Sequence, residues 1–163
     1  VYVRFGGELP KTHRSNTAGR WMLSLPLKSV NNLVKDARKV QQTILMVGDI
    51  SDIYVTNFNT MTGDPNFTVE ELSAIAFGYN RLLKESSDLL LDLKEVTTAT
   101  GLSMTDKERL DIINRIYGEV LEYKNLTWYY TRKNIGVSYL RSKEKGDAAR
   151  VLSLYGTHEQ RYW

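Results

Sequence analysis

Six aromatic side chains, Tyr117, Tyr123, Trp128, Tyr129, Tyr130 and Tyr139, crowd one stretch of the chain, interleaved with Lys124, Arg132, Lys133 and Arg141. Flat rings beside cations support two kinds of recognition. They can stack the bases of single-stranded nucleic acid while the cations hold its phosphates. They can also form an adhesive protein interface, where tyrosine, tryptophan and arginine are over-represented. A third reading puts Tyr117 and Trp128 in a core, with the other rings flanking it and their hydroxyls in water.

Catalytic chemistry has little to build on. Glu70/Glu71 and Asp88/Asp92 are paired carboxylates of the kind acid–base work or a hard cation uses. Glu71, however, is accounted for by a capping box, and Asp88 and Asp92 fall opposite a leucine stripe. Asp106, Glu108 and Asp111 open a helix, where acids favour the positive end of its dipole. The absence of cysteine removes thiol catalysis, thiolate metal sites and disulfide scaffolds together. His13 and His158 are too few for a histidine-rich metal site, and no Glu-x-x-His pair exists for a di-iron bundle. Gly6-Gly7 lacks the further glycines and the lysine of a phosphate cradle. No catalytic residue, cofactor or metal is expected.

Charge is distributed in three blocks under a formal net charge of +3. Residues 1–28 carry five basic side chains against Glu8; residues 29–131 carry ten basic against fifteen acidic; residues 132–163 carry seven basic against three acidic. A basic tail attracts phosphate or an acidic partner surface, and it equally solvates a helix end and complements its negative pole. The acidic middle favours protein contact over nucleic acid, whose binders spread basic charge over a whole face. At 163 residues the chain is one domain's length, sufficient for a single core. No apolar run approaches the eighteen or so residues of a membrane span.

Helices must hold these side chains in place. Leu27, Val30, Leu33, Val34, Ala37, Val40, Ile44 and Val47 recur at three- and four-residue steps, the mark of one helical face. Gly48-Asp49 is a candidate bend, and Ile50, Ile53, Tyr54 and Phe58 resume the spacing. Thr62-Gly63-Asp64-Pro65-Asn66 reads as a loop. Thr68 and Glu71 form a capping box at the start of a second helix, with the stripe Leu72, Ile75, Ala76, Tyr79, Leu82, Leu83, Ser86, Leu90 and Leu93. Thr97–Gly101 is a connector. Thr105 and Glu108 form a second capping box, followed by a stripe from Leu110 through Val120, Thr127, Trp128 and Thr131 to Ile135. Asp147 caps a short last helix that Gly156 stops. The expected fold is all-α: an antiparallel up-down-up bundle of three long helices plus a short C-terminal helix, over residues 28–163.

Residues 1–27 are expected to be an irregular N-terminal arm. Val1–Phe5 alternates like a strand but has no mate, and Gly6, Gly7, Pro10, Gly19 and Pro26 punctuate the rest. The segment is read either as a native arm anchored by Trp21 and Leu23 or as a reading-frame artefact. Trp21 and Met22 each have one codon ending in G. A shifted frame across Ser15–Leu27 can therefore spell the amphipathic helix QYGRSLDALTALK, and the coding DNA decides between the two readings.

The stretch from Leu27 to Val55, with Lys28-Ser29-Val30-Asn31-Asn32-Leu33 and Val47-Gly48-Asp49-Ile50-Ser51-Asp52 within it, resembles a family of conjugative-transposon transfer proteins (TraI-like) from Bacteroides-type bacteria. Phe67–Tyr79, Leu102–Arg109, Val137-Ser138-Tyr139-Leu140-Arg141 and the closing Arg161-Tyr162-Trp163 extend the resemblance across about residues 27–163. It implies a non-enzymatic component of a type IV secretion-like apparatus that moves DNA between cells. Family precursors look exported, which implies the periplasm or cell envelope.

The contact surface expected on this basis is Tyr129, Tyr130, Arg132, Lys133, Tyr139 and Arg141, in the aromatic and basic C-terminal third. Its expected partners are other conjugative transfer proteins, with a homo-oligomer as a further possibility. The competing reading is a cytosolic nucleic-acid-binding accessory that uses the same basic tail.

Overall fold

The computed structural model of the chain describes the backbone of residues 18–98 and 104–156, and the side chains of 35–98 and 104–156. Four helices follow one another: α1 (Ala18–Thr62), α2 (Val69–Thr98), α3 (Asp106–Glu144) and α4 (Ala148–Tyr155). Among the described residues there is no strand. This is the all-α arrangement of three long helices and a short fourth that the periodicity specifies. The chain divides into two compact units, Val1–Lys35 and Asp36–Trp163, and the core and surfaces described below belong to the second.

The first helix begins earlier than expected. Over Ala18–Leu27 the irregular arm gives way to helix, which continues through Pro26. Proline has no amide hydrogen and its ring crowds the carbonyl four residues back, so the position reads as a stop; here a 45-residue helix carries that local loss. Residues 1–17 of the expected arm, most of the Thr97–Gly101 connector and the closing Arg161-Tyr162-Trp163 lie outside the described residues. Gly48-Asp49 does not break α1, which runs on as one helix to Thr62.

The helix ends follow their local chemistry. At the start of α2 the Thr68 amide donates to Glu71 Oε2 at 2.9 Å, and the Glu71 amide donates to Thr68 Oγ1 at 3.2 Å. Thr105 and Glu108 repeat this reciprocal cap on α3, at 2.9 and 3.3 Å. Both satisfy amides that the first turn leaves unpaired. At the far end of α3 the Asp147 amide donates to the Ser142 carbonyl and the Gly146 amide to the Lys143 carbonyl. Gly146 sits at φ +72°, the left-handed conformation such a C-terminal turn demands. Asp147 makes no side-chain cap on α4; its carboxylate instead pairs with Arg150 Nε at 2.9 Å.

Two apolar clusters fix the topology. Met46, Val47 and Ile50 of α1 meet Leu93 and Val96 of α2 and Ile113, Ile116 and Val120 of α3. Met61 of α1 meets Ile75 and Tyr79 of α2, Ile135 of α3, and Val151 and Tyr155 of α4. The middle of α1 thus lies beside the end of α2 and the start of α3, so the three helices run up, down and up. Where they pass close, small hydroxyl residues fill the interface. Thr43, Thr127 and Thr131 are buried and donate to the carbonyls of Lys39, Tyr123 and Thr127, each at 2.8 Å, so none of these three hydroxyls is stranded.

Candidate partner-binding surface

Helix α3 carries all six expected contact residues, and its pitch sorts them. Its buried side is Ile113, Ile116, Val120, Thr127, Thr131, Ile135, Ser138 and Ser142. Tyr129, Arg132 and Lys133 fall away from that side and are exposed. Lys133 Nζ lies 5.2 Å from the centre of the Tyr129 ring, one turn back, an exposed cation–π pair. These three residues form an outward aromatic and basic patch.

Tyr130 turns toward α2. Its ring meets Tyr79 edge-on at 5.0 Å, and its hydroxyl donates to the Ile75 carbonyl at 3.3 Å. The approach is possible because residue 78 is glycine: a Cβ there would fall 2.6 Å from Tyr130 Cζ. Burial pushes the Tyr130 phenol above its ordinary pKa. Beside this crossing, α2 and α3 enclose an open groove of about 500 Å³ lined by Gly78, Arg81, Leu82, Glu85, Tyr123, Leu126, Tyr129 and Tyr130. Two of the expected residues therefore border a cleft whose α2 wall the spacing of α3 gave no means of naming.

Tyr139 and Arg141 do other work. Tyr139 is half-buried against the second apolar cluster. Arg141 donates to both carboxylate oxygens of Glu71, Nη2 to Oε1 at 2.6 Å and Nη1 to Oε2 at 2.8 Å, and Nη1 also reaches the Asn66 carbonyl at 2.7 Å. The Arg141 guanidinium, helped by the Thr68 amide, holds the Glu71 carboxyl at about 2. Arg141 is thus the clamp between α3 and the first turn of α2.

The same corner holds a polar network that the sequence does not announce. Asp64 is buried in the α1–α2 loop. It accepts from the Asn66 amide at 2.9 Å, the Ser138 hydroxyl, and the Tyr155 hydroxyl at 2.9 Å. Asn66 donates to Ser138 Oγ and accepts from Lys145 Nζ, both at 3.2 Å. Desolvation, with the Asp64 carboxylate alongside, raises the Tyr155 phenol far above its usual range. Gly-Asp-Pro-Asn reads locally as a surface turn, and only the return of α3 and α4 buries it. The exposed Asp88 pairs with Lys84 at 2.6 Å, and Asp92 is exposed.

Among the described residues no group of three histidine, aspartate or glutamate side chains is placed to share a metal ion, and no helix is long and apolar enough to cross a membrane. What the arrangement offers chemically is recognition: rings, aliphatic side chains and cations on one exposed face. No family model, no curated protein and no solved structure matches this chain.

Proposed function

We propose that this chain is a non-enzymatic component of a conjugative, type IV secretion-like DNA-transfer apparatus, acting by protein–protein contacts in the periplasm or cell envelope. The observation that carries the contact part is the outward patch of Tyr129, Arg132 and Lys133 beside the α2–α3 groove. Anchors for a protein partner have this composition, with an aromatic ring and apolar walls at the centre and charge at the rim. The assignment to conjugation and to the envelope rests on the resemblance of residues 27–163 to transfer proteins of conjugative transposons. Arg141 contributes by holding the end of α3 against the first turn of α2, and Tyr139 by packing on the second apolar cluster.

Donor cells supply the test. Fractionation followed by cross-linking is expected to recover the protein in the periplasm or envelope, attached to other transfer proteins. Tyr129→Ala together with Lys133→Glu is expected to abolish that attachment and lower transfer frequency at unchanged protein level. A cytosolic protein that binds single-stranded DNA, with an affinity falling steeply as salt rises, would overturn this reading and favour the nucleic-acid accessory.

A further inference from the structure

Helix α3 has a second apolar side where a bundle helix would carry polar residues. Leu126, Tyr129, Val137 and Leu140 are 46, 53, 40 and 62% exposed. With Glu122 and Lys133 they recur at steps of three and four and share one stripe. At 100° per residue that stripe is centred on the side of α3 away from the buried line Val120, Thr131 and Ser138, and Leu126 and Tyr129 also border the groove beside α2. From Gly118 to Leu140 it runs roughly 33 Å. Exposed apolar residues scattered singly mean little, but four on one stripe, in two pairs on either side of Lys133, mark a contact surface.

The charges on this line indicate what covers it. Glu122 stands four residues before Leu126 and Lys133 four residues after Tyr129, so the pattern reads acid, apolar, apolar, base. Turned end for end, the same pattern becomes its own complement. A two-fold axis between Thr127 and Trp128 sets Leu126 of one copy on Tyr129 of the other and Glu122 on Lys133, each pairing occurring twice. The same register brings Val137 to the height of Gly118, whose Cα has open space above it, and Leu140 to the height of Arg115. A parallel pairing instead opposes Glu122 to Glu122 and Lys133 to Lys133.

We infer that the outward face of α3 is a homodimer interface in which two copies pair antiparallel about the Thr127–Trp128 midpoint. This goes beyond the function proposed above: the second copy covers Tyr129 and Lys133, so it competes with a transfer protein for that face and stands on the stripe alone.

Sedimentation of the full chain across concentrations, at low salt, tests it. The wild type is expected to show a monomer–dimer equilibrium. Glu122→Lys alone and Lys133→Glu alone each set like charges opposite one another at two symmetric sites and are expected to weaken the dimer about ten-fold. The double variant Glu122→Lys/Lys133→Glu is expected to restore it, an outcome that a merely structural role or a parallel pairing does not give. All three variants lie on exposed positions, and unchanged circular dichroism checks their fold. A chain that stays monomeric at every concentration, or a dimer indifferent to both single swaps, overturns the inference. A monomer that still captures transfer proteins in donor cells sinks the dimer and spares the proposed function. A charge-dependent dimer that captures none does the reverse.

Discussion

Tyr130 of α3 lies across Gly78 of α2, so close that a single methyl group on residue 78 would fall 2.6 Å from the ring carbon Cζ. The crossing joins the candidate surface to the core, because the same ring stands edge-on to Tyr79, which itself stacks on Tyr54 at 4.8 Å. The hydroxyl of Tyr79 bonds to that of Thr131 at 2.6 Å, and burial pushes its phenol up to about 12. One wall of the groove is therefore continuous with the packed interior.

Gly78→Ala is expected to lower stability by about 1–2 kcal/mol, because the cost of overpacking outweighs the gain in helix propensity. Gly48→Ala, at a helical position with nothing within 4 Å, is expected to raise it by about 0.5–1 kcal/mol. Urea unfolding of the two variants checks both signs; equal shifts would remove the packing argument.

Tyr129 and Tyr130 are adjacent in sequence but differ in role. Tyr129→Ala is expected to change unfolding free energy by less than about 0.5 kcal/mol, as surface substitutions do. Tyr130→Ala empties a half-buried ring site and is expected to cost about 2–3 kcal/mol. Only the first variant cleanly separates binding from folding, and thermal melts distinguish the two.

The Arg141–Glu71 clamp has a defined pH signature. The folded Glu71 carboxyl is held at about 2 against an ordinary value of 4.5. Its contribution is therefore complete above about 4.5 and is lost as pH falls toward 2. The stability gap between wild type and Glu71→Gln is expected to be flat at neutral pH and to close across that acid window. A gap unchanged at pH 2 would show that the charge has no part in it.

Removing the Asp64 acceptor leaves the Tyr155 and Ser138 hydroxyls and the Asn66 amide without their shared partner. Asp64→Ala is expected to cost about 3 kcal/mol, and Tyr155→Phe about 1 kcal/mol. Proteolysis near Gly63–Phe67 provides the local readout, with faster cleavage expected in Asp64→Ala.

Apolar periodicity and capping residues are enough to specify the helices and most of their boundaries. Apolar spacing names the buried line of α3 from Ile113 to Ile135, and Thr68/Glu71 and Thr105/Glu108 declare their caps within four residues. Pro26 misleads because its local cost is real, while a long helix can absorb it. Tertiary structure alone decided what each end of α3 touches. Tyr129, Tyr130, Tyr139 and Arg141 look alike as an aromatic and basic run, but packing leaves Tyr129 outside, lays Tyr130 on Gly78 and closes Arg141 on Glu71. Asp64 reads as a turn residue until residues more than seventy positions away fold over it. Periodicity is a property of neighbours along the chain, whereas the partner of a side chain depends on which helices meet and at what height. That is why the bundle was legible in advance and the clamp, the buried aspartate and the α2 wall of the groove were not.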